Sequence, residues 1–356
     1  MTIGSFTYTP EDITVYFGIG RFAELSAIAD EHGLTKMLVL CTASDRAKAL
    51  AERAGAQLGN RLAGYFDECV EQVPVENAAK VQDLAKSLGV DGVVCVGGGS
   101  TIGHGKAVAL EHDIKLIHVV TTYSGSEMTD AQGFVKDGVK EVLFDRRMRA
   151  AGVVYDPELT VSLPPSISGP SGMNAMAHCV EALYGQQGNP VRSILATAGI
   201  KALGASLPGV VARPDDLDAR SEAFFGAYMS SLSVMAGIGL HHAVAHVLGG
   251  SFGIPHAFAH TLALPHTIAY NRDFAPDAMK HLASALECED GPQGLYDVSI
   301  KLGIDMALSS WGFDESKIGR AIDLLIDHPV PNPRPLERAP MQAMLSLIHI
   351  SEPTRR

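Results

Sequence analysis

Strand-length runs of Val, Ile and Leu alternate with helical patterns along the first half of this 356-residue chain and then stop near residue 158. That change of texture constrains the fold more than any single motif. TVYFG (14–18), KMLVLCT (36–42), RLAGYFD (61–67), DGVVCVGG (91–98) and IKLIHVVTT (114–122) show little period-two polarity, as strands buried on both faces do. Between them SDRAKALAERAG (44–55), VENAAKVQDLAKSLG (75–89) and STIGHGKAVALEH (100–112) repeat apolar residues at three and four positions and read as crossover helices. Strand and helix in alternation predict a parallel α/β sheet. The segment 128–156 reads as a hairpin or excursion ahead of the strand AAGVVYD.

Beyond LPPSISGPSG the pattern is Ala/Leu/Met-rich and helical, with hardly a β-branched run. Helices are expected near 171–187, 190–205, 216–240, 241–250, 257–270, 274–288, 292–302 and 315–326. The economical reading is an α/β domain over 1–158 and an all-helical domain over 159–356. The final SLIHISEPTRR (346–356) departs from amphipathic pattern and is read as a tail outside the native fold, with no function.

Composition narrows the class. With 46% hydrophobic and 19% charged residues the chain suits a compact enzyme. No stretch approaches twenty uninterrupted apolar residues, and MTIGSFTYTPEDITVYFG lacks a basic and an apolar leader region, so no membrane span or secretory signal is expected and the cytoplasm is the default. The five cysteines show no CxxC spacing and are read as reduced, with Cys41 and Cys95 in strands. A formal charge of −12 disfavours nucleic acid and membrane surfaces as partners without excluding an anionic substrate.

Two motifs carry chemistry. VVCVGGGSTIGHGKAVAL reads as strand, glycine turn and helix start: Gly97, Gly98 and Gly99 let a diphosphate approach the backbone, and Ser100 with the helix N-terminus donates to its oxygens. A glycine turn alone also serves as a tight βα connection. Thr121 and Thr122, closing the next strand, favour the nucleotide reading because ligands gather at strand C-termini in open sheets. Thr42 ends the second strand where an acidic residue commonly meets the ribose, and with Arg46 nearby it would not repel a 2′-phosphate, so NADH and NADPH are both expected. The second motif pairs Asn174 with His178 and His242 with His246 at i,i+4, with His256 as an outlier. Residues 241–266 hold six histidines in an apolar segment, and burying them demands partners. A lone helical histidine is more often structural, and one or two of the six, with His241, His260 and His266 as the candidates, are expected only to cap or pair with backbone.

The pieces GGGSTIGHGK, TTYSGSEMTD, VVYDPELT, SGMNAMAHCVEALY and HHAVAHVLGG with its following PH and LPH resemble the iron-containing (group III) alcohol dehydrogenase family, and within it the maleylacetate reductase group. The resemblance implies a Rossmann-like domain joined to a helical one (the dehydroquinate synthase-like fold) and a homodimer. It also implies reduction of 2-maleylacetate, a small dicarboxylate, to 3-oxoadipate by NADH or NADPH in bacterial breakdown of aromatic compounds. Metal-dependent members carry Asp and three histidines at the positions of Asn174, His178, His242 and His256. Asn174 replaces the carboxylate by a neutral, poorer ligand, so no metal is expected. The pattern GGGSxxD fails at Gly103 as well, and the TTYSGSE loop is one residue shorter than the family's usual form. Without a metal, donors must stabilise the alkoxide expected as hydride reaches the ketone. His246 is the expected proton relay, with His178, His242 and His256 positioning and polarising the substrate. The alternatives are a metal-dependent (Fe2+ or Zn2+) alcohol dehydrogenase in which Asn174 still ligates, and a noncatalytic nucleotide-binding protein.

Overall fold

The computed structural model describes residues 5–10, 12–136 and 139–351. The last five positions of the expected tail, 352–356, lie outside the described residues. The chain divides into two compact units: one runs Pro10–Leu163, the other begins at Pro164 and takes in residues 5–9. The break falls at 163/164 rather than 158/159. Leu159 belongs to the first unit's core, and Arg46 donates to the Leu159 carbonyl and the Ser162 hydroxyl, which binds that segment to the sheet.

The first unit holds strands β1 (Thr14–Phe17), β2 (Met37–Leu40), β3 (Leu62–Phe66), β4 (Gly92–Gly97), β5 (Lys115–Val120), β6 (Ala131–Lys136), β7 (Val139–Phe144) and β8 (Gly152–Tyr155). Six of them form one parallel sheet in the order β1-β8-β5-β4-β2-β3, and β6 with β7 makes a separate antiparallel hairpin. The central strands β2 and β4 are buried throughout, while the edge strands β1 and β3 are partly exposed, as their sequences require. Helices α1 (Leu25–Glu31), α2 (Asp45–Leu58), α3 (Val75–Leu88), α4 (Gly99–His112) and the short α5 (Glu158–Val161) connect them. Leu25 and Ile28 of α1 and Leu50 and Ala54 of α2 share one core with Val39, Val94, Val119 and Val154 of the sheet. Cys95 lies in β4, and Cys41 falls one residue past β2 with its amide still bonded to Phe66.

Strand order places a switch point. β2 has β3 on one side and β4 on the other, with Leu40 opposite both Phe66 and Cys95. Loops leaving β2 and β4 therefore diverge, and a crevice opens at their carboxyl ends. Thr42 and the glycine turn both stand there.

The second unit is helical: α6 (Pro165–Ala182), α7 (Pro190–Ala212), α8 (Leu217–Ser233), α9 (Leu240–Phe252), α10 (His256–Tyr270), α11 (Pro276–Ala285), α12 (Gly291–Lys301), α13 (Ile318–Asp327) and α14 (Arg338–Ile350). α6 starts at Pro165, earlier than expected, because a proline at the first helical position gives up only an amide that has no partner anyway. α7 continues through Pro208 to Ala212; long and apolar enough by composition to cross a membrane, it packs along α6 and α8. α8 ends at Ser233, short of 240, where Gly237 turns the chain at φ 108°. α14 runs through the first part of the expected tail: Leu345 and Ile348 are buried, so residues 346–350 belong to the packed structure.

Candidate active site

In the first unit the glycine turn joins β4 to α4. A Cβ on Gly98 would stand 2.3 Å from Thr122 Oγ1, and one on Gly97 equally close to Thr101 Oγ1 at 2.3 Å, whereas above Gly99 nothing lies within 4 Å. The backbone is thus pressed onto the threonines on one side and open on the other. Gly98 serves as the N-cap of α4 without a side-chain cap, leaving the first amides of the helix for an anion. Thr121 bonds through its amide to Gly97 O at 3.0 Å, so Gly97, Gly98, Thr121 and Thr122 form one continuous lining beside Ser100. Thr42 Oγ1 lies 3.3 Å from Ser44 Oγ, which caps α2 by accepting from Ala47. Arg46 is engaged in holding Ser162 and the carbonyls of Leu159 and Thr121. Gly103 cannot be the family's aspartate without rearrangement, since its Cβ would meet Val73 Cγ2 at 2.6 Å and Gln132 Nε2 at 2.7 Å.

In the second unit α10 packs on both α6 and α9, which brings the imidazoles together. The turn between α9 and α10 uses Gly253 at φ 76° and starts α10 after Pro255, placing His256 at its first position. His256 is no outlier. With His260 it makes a third i,i+4 pair. The His178 and His242 rings lie 4.9 Å apart, His242 and His260 4.8 Å, His256 and His260 4.6 Å, His246 and His256 6.1 Å, and His242 and His246 5.9 Å. All the predicted histidines share one cluster, and Asn174 lies one turn before His178 on α6 with its Oδ1 buried and unpartnered among the described residues.

Sequence reasoning missed the two residues that organise this cluster. Glu181, buried on the Asn174–His178 face of α6, accepts from His242 Nδ1 through Oε2 and from the Gly239 and His241 amides at 3.0 and 2.9 Å through Oε1. A carboxylate seven residues after Asn174 was the signal available. His260, expected to bond only to backbone, sits within ring-contact range of five other histidines. His241 likewise pairs with side chains, and His266 has neither nitrogen partnered among the described residues, so none of the three caps backbone.

The hydrogen bonds run in one direction. Thr267 Oγ1 donates its only hydrogen to the carbonyls of Ala263 (2.9 Å) and Leu264 (3.1 Å), so it accepts from His241 Nδ1 at 3.1 Å. His241 Nε2 is then an acceptor, His260 Nδ1 is its donor at 2.9 Å, and the buried His260 Nε2 is a bare lone pair. Glu181, bonded at Nδ1 of His242, leaves that ring's buried Nε2 without a partner among the described residues as well. Burial, reinforced by the neighbouring His242 and His256, holds the pKa of His178, His241 and His260 well below the ordinary 6.5. These three rings are neutral at pH 7.

The interior of the cluster is therefore lined by acceptors: Asn174 Oδ1, His242 Nε2 and His260 Nε2. A proton or a cation would satisfy it. Iron, which the resemblance brings with it, calls for a carboxylate beside imidazoles. Here that position is an amide, and Glu181 is spent on His242 Nδ1 and two backbone amides. His241, His242 and His260 bring ligand atoms within 4.8 Å of one another, yet both nitrogens of His241 are already bonded. The donor set does not fit iron.

The model of the iron-containing alcohol dehydrogenases matches residues 13–157, and the C-terminal model of the Fe-containing alcohol dehydrogenase family matches residues 169–348. Maleylacetate reductase of Burkholderia cepacia is 43% identical over 332 residues, covering 93% of this chain and 94% of its own. The crystal structure of maleylacetate reductase from Agrobacterium tumefaciens superposes with a TM-score of 0.92 at 36% identity, covering 97% of this chain and 98% of that one. Sulfoacetaldehyde reductase from Bifidobacterium kashiwanohense in complex with NAD+ shares the fold at a TM-score of 0.89 and 21% identity, over 98% of this chain and 100% of that one. The chain belongs to the iron-containing alcohol dehydrogenase family.

Proposed function

We propose that this protein reduces 2-maleylacetate to 3-oxoadipate with NADH or NADPH, without a bound metal, as a step in bacterial breakdown of aromatic compounds. Residues 10–163 would hold the dinucleotide through Thr42, Gly97, Gly98, Gly99, Ser100, Thr121 and Thr122. Residues 164–351 would bind substrate and move the proton, in a cytoplasmic homodimer. The observation that carries the reading is a histidine cluster with an amide in place of the carboxylate, in a chain 43% identical to a maleylacetate reductase.

The chemistry corrects one expectation. The product 3-oxoadipate keeps its ketone, so the two added hydrogens must cross the carbon–carbon double bond. A bound nicotinamide would supply the hydride to the alkene carbon β to the ketone, and the charge would develop on the ketone oxygen as an enolate rather than an alkoxide. A proton then reaches the α carbon. The site must still polarise an oxygen. A dicarboxylate entering a lining of bare acceptors requires a donor, and His242, held at Nδ1 by Glu181, would present Nε2 as the nitrogen that donates to the enolate oxygen. Asn174 and His178 would orient the substrate from α6. His246 would relay the proton to carbon, recharged through His256, which is exposed. Arg46 is committed to the protein's own oxygens, so acceptance of NADPH rests on the absence of an acidic residue at Thr42.

The test is steady-state oxidation of NADH and of NADPH with maleylacetate, before and after exhaustive chelation, with metal content measured. Turnover that survives in metal-free protein supports the reading. Turnover abolished by chelation and restored by Fe2+ or Zn2+ would replace it with the metal-dependent dehydrogenase.

A further inference from the structure

The first unit buries a lysine that the mechanism does not use. Lys106 lies two turns into α4 with its side chain fully enclosed. Its Nζ donates to Ser126 O at 2.8 Å, Ser126 Oγ at 3.2 Å, Thr129 Oγ1 at 3.0 Å and Ala131 O at 2.8 Å. Four oxygens surround three N–H donors. All of them belong to the stretch that leaves the C-terminal end of β5 and enters β6. The near end of this stretch is Thr121–Thr122, whose side is pressed onto Gly98 and whose amide bonds to Gly97.

We propose that Lys106 is a positioning residue for the nicotinamide nucleotide: from within α4 its ammonium clamps the loop after β5, and so holds Thr121 and Thr122 against the glycine turn at the head of the same helix. The helix thereby grips both ends of the cradle. Gly103, one turn before Lys106, has its side-chain space filled by Val73 and Gln132, which leaves loop oxygens and not a carboxylate on this helix to receive the ammonium. Glu127, buried in the clamped loop, accepts from Tyr155 at 2.6 Å and ties the loop to β8 as well, while His118 Nδ1 bonds to its carbonyl at 3.1 Å. Burial pulls the Lys106 ammonium down to about 7, opposed by Glu127 and Asp130, so the clamp weakens as pH rises through that value.

The proposal rests on the nucleotide reading of the glycine turn. NADH binding to the full-length wild type, Lys106→Met and Thr129→Val is measured by fluorescence titration beside steady-state kinetics and circular dichroism. Lys106→Met is expected to weaken NADH about tenfold and Thr129→Val about threefold, with kcat at saturating NADH and KM for maleylacetate within about twofold of wild type. Folded variants that bind NADH as wild type does, or that lose kcat and both KM values together, would overturn it. If Lys106→Met does not fold, Thr129→Val decides by the same split. A wild type that binds no NADH overturns the nucleotide reading itself, an outcome visible without any variant.

Discussion

Glu181 on α6 and His242 on α9 meet through a hydrogen bond from Nδ1 to a buried carboxylate, and that contact decides which nitrogen of His242 faces the other imidazoles. Glu181→Gln keeps an oxygen for the Gly239 and His241 amides but turns an NH2 toward Nδ1. His242 must then carry its neutral hydrogen on Nε2 and loses the charge partner behind it. We expect kcat to fall about 10²- to 10³-fold, with a thermal midpoint close to wild type, since a misassigned tautomer damages turnover more than folding. Kinetics and calorimetry on the same preparation check this, and an unchanged kcat/KM refutes it.

Much of this site was legible in the sequence, for reasons of spacing. Strands as apolar as VVCVGG can only be central, and i,i+4 pairs on long helices fix which side chains share a face, so the glycine turn and Asn174, His178, His242, His246 and His256 could be named in advance. What stayed hidden depends on tertiary contact. His260 reads as one more histidine until the chain turns at Gly253 and sets α10 against α6 and α9. Glu181 reads as a surface acid until burial shows otherwise. Helix α1 is too short to display a period, and the start of α6 was masked by prolines that its first turns tolerate. The reading of 346–356 as a tail outside the native fold missed the end of α14 at 346–350, because Ile348 finds a core that local patterning does not reveal.

His266 carries an acid-stability prediction. It is buried with no partner on either nitrogen among the described residues, and burial lowers its pKa to about 4. The unfolded chain takes up the proton first, near pH 6.5, so the stability due to neutral His266 is complete above that value and is lost as pH falls toward 4. The gap corresponds to about 3 kcal/mol. His266→Phe, which keeps a ring beside Tyr296, removes the titration. Denaturant unfolding at neutral and acid pH should show the variant losing less stability on acidification; parallel losses in the two proteins count against it.

Gly98 tests the cradle. Its Cβ would lie 2.3 Å from Thr122 Oγ1 and 3.1 Å from Thr122 Cγ2, so Gly98→Ala must push the threonine out of the lining or distort the turn. KM for NADH should rise about tenfold or more while KM for maleylacetate changes little. Adding Thr122→Ala removes both colliding atoms, and the double variant should recover part of the loss, a coupling that two independent effects would not produce. Strict additivity in the double-mutant cycle would show that the two residues do not share the lining.

Asn174→Asp is the decisive exchange for the metal. Its Oδ1 is already buried and unpartnered beside His178 on the same helix, so the variant puts a carboxylate where only an amide acceptor stood. Unmetallated, that carboxylate is buried among neutral imidazoles and must either stay protonated or draw a proton onto a neighbouring ring, so maleylacetate turnover should fall at least tenfold. With Fe2+ or Zn2+ present, the same charge offsets the cation, and affinity should exceed that of wild type by about tenfold or more. Calorimetric titration of both proteins with each metal reads this directly. Equal metal affinity would mean that the amide was never the obstacle, and that the bonds holding Glu181, His241 and His260 in place exclude the ion instead.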